Sequence, residues 1–122
     1  MLTGDKIETA KCIAISTGLK SRKQDVVEIS NVDDPRAISE AIDDWSRVVQ
    51  GTMLMIDGKT LARIFSDEVL KHKFFETAQL SQTVCVCRCS PTQKALVAEN
   101  ITEFSGTRIA CVGDGGNDVA MI

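Results

Sequence analysis

The chain has 122 residues, 43% of them hydrophobic, a length that fits one domain with a single core. A formal net charge of -3 without a basic patch excludes an electrostatic grip on a nucleic-acid backbone. No apolar run reaches the roughly 20 residues that span a bilayer, the opening Met1-Leu2-Thr3-Gly4-Asp5 does not read as a signal peptide, and five cysteines inside apolar runs suit a reducing compartment better than a disulfide scaffold.

Taken in chain order, residues 6–17 carry Ile7, Ala10, Ile13 and Ala14 at helical spacing, with Gly18 placed to stop the helix. Val26 to Ile29 is a short strand candidate. Asp33-Asp34-Pro35 opens a second helix with Ile38, Ile42, Trp45 and Val49 on one face, ending at Gly51. Met53 to Ile56 is an apolar strand, and Asp57-Gly58 after it is a turn signal. Ser66 or Asp67 caps a third helix with Val69, Leu70, Phe74 and Leu80 as its apolar positions.

Thr83 to Cys87 has the composition of a buried strand, Pro91 to Phe104 that of a fourth helix closed by Gly106, and Arg108 to Val112 that of a last strand. Strands alternating with helices imply an α/β domain: a Rossmann-like, mainly parallel sheet with flanking helices. Cys85, Cys87 and Cys89 alternate, so a strand would set them on one face. Core packing is the expectation for them, since free cysteine behaves as a small hydrophobe and the second ligand cluster of a zinc site is missing.

In open α/β sheets ligands bind beyond the carboxyl ends of the strands, and two polar clusters fall at such places. Thr3-Gly4-Asp5-Lys6 precedes a helix, where a hydroxyl and free backbone N–H groups can bind a phosphoryl oxygen. Taken alone it reads first as an ordinary helix cap with Asp5 favoured by the dipole. Gly113-Asp114-Gly115-Gly116-Asn117-Asp118 combines glycines that admit a ligand close to backbone with carboxylates suited to Mg²⁺.

Lys94, in the first turn of a helix, opposes the dipole unless an anion compensates it; otherwise it is a solvated surface lysine. Arg88, ending an apolar strand, is equally out of place without an anionic partner. A hydroxyl, two cations and two carboxylates suit phosphoryl transfer, which rests on positioning and charge neutralisation. No nucleophile stands among them, and His72, beside Lys71 and Lys73, reads as a surface residue.

Thr3-Gly4-Asp5, the Pro91/Lys94 segment and Gly113-Asp114-Gly115-x-Asn117-Asp118 resemble, in order, the later motifs of P-type ATPases, members of the haloacid dehalogenase superfamily. Three further runs are similar to the phospholipid-flippase branch: Leu2-Thr3-Gly4-Asp5-Lys6-x-Glu8-Thr9-Ala10, Ile56-Asp57-Gly58-Lys59-Thr60-Leu61, and Ser90-Pro91-Thr92-Gln93-Lys94-Ala95. Cys87-Arg88-Cys89-Ser90 and Gly115-Gly116 before Asn117 resemble its Golgi and endosomal class.

The resemblance implies that Thr3 contacts the transferred phosphoryl group, Gly4 and Asp5 lie near the nucleotide, and Arg88 lies close to it. Lys94 would neutralise developing charge, Asp114 would ligate Mg²⁺, Asn117 would hold the phosphoryl group and Asp118 would support the loop. It further implies an ATP-driven cycle through an aspartyl-phosphate, coupled to moving a phospholipid to the cytosolic leaflet by a membrane protein of which residues 1–122 form part of the phosphorylation domain. The Asp-Lys-Thr-Gly-Thr motif is absent from this sequence, as are the nucleotide-binding and actuator domains and the membrane helices. The expectation is therefore that the chain alone forms no aspartyl-phosphate, and that unpaired strand edges leave it marginally stable or self-associating. A small soluble phosphatase of the same superfamily shares the Thr, Lys and Gly-Asp-Gly-x-Asn-Asp elements but carries its own nucleophile strand. A catalytically inactive module binding a nucleotide or phosphate is the other alternative.

Overall fold

A computed structural model describes residues 1–122. Its centre is a parallel sheet in the order β1 (Asp25–Ile29), β2 (Thr52–Asp57), β3 (Thr83–Cys87). Beyond β3, Met1–Thr3 runs parallel to it as a short fourth line: Leu2 bridges Val86, the Val86 N–H donates to Met1 O at 2.8 Å, and the Thr3 N–H donates to Val86 O at 2.9 Å. β2 is buried at all six positions, as a central strand covered on both faces should be.

Alternation along the strands separates two cores. Leu54, Ile56, Val86 and Ile29 face one side, where α2 (Pro35–Ser46), α3 (Gly58–Phe65), α4 (Glu68–Ala78) and α5 (Pro91–Ser105) supply Ile38, Ile42, Trp45, Leu61, Ile64, Phe74, Phe75 and Val97. Met53, Met55, Cys85 and Cys87 face the other, covered by α1 (Ile7–Ser16) through Ala10 and Ala14. Handedness explains the division. The chain steps from Met1–Thr3 across the sheet to β1, then returns strand by strand, so right-handed crossovers put α1 opposite the later helices.

The α/β class and the parallel sheet agree with the sequence reading, and several details differ. Asp57-Gly58 is not a turn: the Asp57 carboxylate accepts the Thr60 N–H at 2.9 Å and caps α3, an amphipathic helix that buries Leu61 and Ile64. Ile13, Val69 and Leu80 are exposed, and α2 stops at Ser46, so Val49 enters the core from a separate 3₁₀ turn. Cys89 leaves the face of Cys85 and Cys87 because β3 ends at Cys87 and Arg88 turns left-handed, with φ of 49°.

Arg108–Val112 forms no strand. None of its backbone groups bonds to another backbone group, and Val112 is 92% exposed. An apolar run becomes a strand only where a neighbouring strand completes its ladder. This segment and the edge formed by Met1–Thr3 instead line one cleft of about 760 Å³, to which Leu2 and Ile109–Val112 both contribute.

Candidate functional site

Lys94 follows directly from the local sequence of α5. Ser90 accepts the Gln93 N–H at 3.2 Å while Gln93 Oε1 accepts the Ser90 N–H at 3.1 Å, a reciprocal cap that begins the helix with Pro91 at its first position. Lys94 is then one turn in and points into the cleft. It is 4% exposed, so the surface-lysine alternative is overturned. Its Nζ donates to Asp118 Oδ1 at 2.7 Å, an ion pair with both side chains shielded.

The loop from Gly113 to Asp118 is wound around that carboxylate. Asp118 Oδ2 accepts the Gly115 N–H at 3.3 Å, and the Asp118 N–H donates back to Gly115 O at 3.0 Å. A Cβ on Gly113 would overlap the Asp118 side chain, which requires glycine at that position. The Lys94 ammonium, aided by backbone N–H groups, holds the Asp118 carboxyl below the usual carboxylate range.

A depressed carboxyl pKa stabilises the folded form above the unfolded value, about 3.9, and that contribution disappears as pH falls through the lower folded value. The denaturation midpoint of the chain should therefore fall on acidification below about pH 4. Asp118→Asn should start lower and show a shallower acid slope; equal slopes in a urea titration would contradict this.

Thr3 holds its own turn by accepting the Asp5 N–H on Oγ1 at 3.1 Å, and Asp5 does not cap α1, whose N-cap Lys6 makes no side-chain bond. The Arg88 N–H donates to Asp5 O and the Cys89 N–H to Thr3 O, each at 2.9 Å, so the end of β3 carries the Thr3–Asp5 segment on its back. Thr3, Gly4, Asp5, Lys94, Asp114, Asn117 and Asp118 all line the 760 Å³ cleft. Seven of the eight candidate residues are thus brought to one place; Arg88 is exposed and outside the lining, tied to it through its backbone bond to Asp5.

Asp114 and Asn117 are exposed at the mouth, and the Asp114 carboxylate enters no ion pair. One free carboxylate is a suitable anchor for Mg²⁺, which keeps much of its water and takes phosphate oxygens, but it is not a closed cage. No group of three or more His, Cys, Asp or Glu side chains is placed to enclose a metal ion.

Two residues that shape the site have capping roles beyond the sequence reading. Gln93 is the fourth residue of Ser90-Pro91-Thr92-Gln93, and that Ser-x-x-Gln spacing is a capping-box signature that could have been read. Asp57, in sequence a turn residue, caps α3 and also accepts the Asn31 N–H on Oδ2 at 2.9 Å, pinning the loop after β1. His72 lies on the surface, 3.5 Å from Glu76. Cys85 and Cys87 are fully buried against each other; burial pushes the Cys89 thiol up to about 11 against the opposing pull of Lys94 and the N-terminal ammonium.

No family model matches the chain. Along its whole length it is 43% identical to the phospholipid-transporting ATPase NEO1 of Saccharomyces cerevisiae, 40% to the probable phospholipid-transporting ATPase IIB of Homo sapiens and 38% to the probable phospholipid-transporting ATPase tat-5 of Caenorhabditis elegans. It spans about a tenth of the length of these curated relatives: 10%, 10% and 11% respectively.

Proposed function

We infer that this chain, homologous throughout to one segment of the phospholipid-transporting ATPases, supplies part of the phosphorylation site of an ATP-driven phospholipid translocase of the P-type ATPase class. The observation that carries the reading is convergence. Three runs far apart in sequence, at Thr3, Lys94 and Asp114–Asp118, meet on one cleft with a buried lysine as its fixed positive charge.

In this reading the Thr3 hydroxyl and the Asn117 amide donate to the phosphoryl oxygens, and Lys94 offsets the charge that builds on them during transfer. Gly4 and Asp5 lie beside the nucleotide, with Arg88 reaching it from the adjoining loop after β3. Asp118 keeps the Lys94 ammonium aimed into the cleft. Asp114 would hold Mg²⁺, which supplies electrostatic shielding of the phosphate oxygens.

The nucleophilic aspartate is assigned to another segment of the parent protein, on a strand entering between Met1–Thr3 and Ile109–Val112. Supporting this are the apolar walls of the cleft and the absence of backbone pairing along Arg108–Val112. The nucleotide-binding domain and the membrane helices that carry the phospholipid are likewise assigned to the rest of that protein, and no helix of this chain is long and apolar enough to cross a membrane. The site would face the cytosol at a Golgi or endosomal membrane.

Radiolabelled ATP tests the reading. The parent protein should form an acid-stable, hydroxylamine-labile phosphoenzyme, and Asp114→Asn should lower it by at least about tenfold. The 122-residue chain alone should take no such label. Label on the isolated chain, or none on the intact parent, would refute the assignment.

A further inference from the structure

Gln93 makes one more hydrogen bond than its helix cap needs. Besides accepting the Ser90 N–H, its Nε2 donates to Gly58 O at 2.6 Å, joining the start of α5 to the start of α3. A capping box uses only the acceptor oxygen at this position, and glutamate serves equally well there. The amide nitrogen therefore marks a second task.

Its surroundings show what the bond fixes. Gly58 has no room for a side chain: a Cβ would fall on the Arg88 carbonyl oxygen and within 2.7 Å of Gln93 Oε1. Arg88 lies directly over this contact in a left-handed conformation, φ 49°, which costs a non-glycine residue energy unless its neighbours impose it. From the same loop the Arg88 and Cys89 N–H groups bond to Asp5 and Thr3. Asp57, one residue before Gly58, is itself anchored by the Thr60 and Asn31 N–H groups.

We propose that Gln93 is a positioning residue: with Gly58 it forms a strut that holds the Arg88 loop, and through it Arg88, in the orientation that meets the nucleotide. The proposal rests on the function inferred above. Lys94 depends less on the strut, because the Ser90 cap alone keeps the first turn of α5 in place.

The test uses the parent ATPase. Gln93→Glu keeps the cap but puts an oxygen where Nε2 donated. It should raise the KM for ATP about five- to tenfold, the worth of one hydrogen bond, with kcat nearly unchanged and the melting temperature lowered by only a few degrees as Gly58 O loses its donor. Gln93→Met, which adds no charge, should raise KM similarly. Arg88→Ala should do so too, and adding Gln93→Glu to it should cost nothing further, because both changes act through one group.

A KM that depends on Arg88 but not on Gln93, or effects that multiply in the double variant, would overturn the strut while leaving the function intact. An active enzyme whose KM ignores Arg88→Ala would instead overturn the nucleotide role beneath it.

Discussion

Replacing Lys94 with methionine should lower phosphoenzyme formation by the parent ATPase about a hundred- to a thousandfold, the range seen when one preorganised charge donor is removed. Methionine keeps most of the side-chain length and packs among apolar atoms, so what disappears is the charge. Lys94 is 4% exposed, and a fixed charge shielded from water acts on a developing phosphoryl charge more strongly than a mobile surface lysine would.

The same substitution leaves Asp118, whose partner sat 2.7 Å away, shielded and unpaired, so the protein should also melt earlier. Lys94→Met with Asp118→Asn separates the two effects. The double variant should recover much of the lost melting temperature and none of the phosphorylation. Lys94→Arg should stay strongly impaired, since a planar guanidinium cannot occupy the place of a compact ammonium inside a loop wound this tightly. Near-normal phosphorylation in Lys94→Met would remove Lys94 from the chemistry.

Much of this arrangement was legible in the residues. Pro35 and Pro91 mark helix starts, Gly18 and Gly106 take the positive φ of 79° and 65° that ends a helix, and the four-residue apolar run Met53–Ile56 forms the middle of the buried six-residue strand β2. What failed depends on partners that a local pattern does not contain. Ile109-Ala110-Cys111-Val112 has strand composition, yet it makes no backbone pair within the 122 residues. The helix-start position of Lys94 calls for an anion but does not say which one, because its counterion Asp118 is 24 residues away. Asp57-Gly58 carries a turn signal, but the glycine is required by the carbonyl of Arg88, 30 residues on, and the helix it opens was missed.

Trp45→Ala should cost about 3–5 kcal/mol, the usual price of emptying a buried aromatic site. Domains of this kind have only about 5–15 kcal/mol in total, so the urea midpoint should fall by a large fraction. Trp45 is fully buried at the centre of the larger core, on the face of α2 that meets α4, with its ring 6.0 Å from that of Phe74. Its indole N–H has no acceptor, so part of its value is already offset by an unmet donor. Trp45→Phe removes that donor with less of the volume and should lose under half as much.

The substitution also reaches the site. Phe74 stacks edge-on with Phe75, and Phe75 lies 5.5 Å from Phe104; all three line the cleft that holds Lys94. Removing the ring behind Phe74 lets this wall relax toward the new void, because a packed interior closes only part of a cavity. In the parent ATPase, at temperatures where Trp45→Ala is still folded, phosphorylation should therefore fall more than the folded fraction does. An unchanged rate per folded molecule would show that the cleft wall is held by the sheet alone.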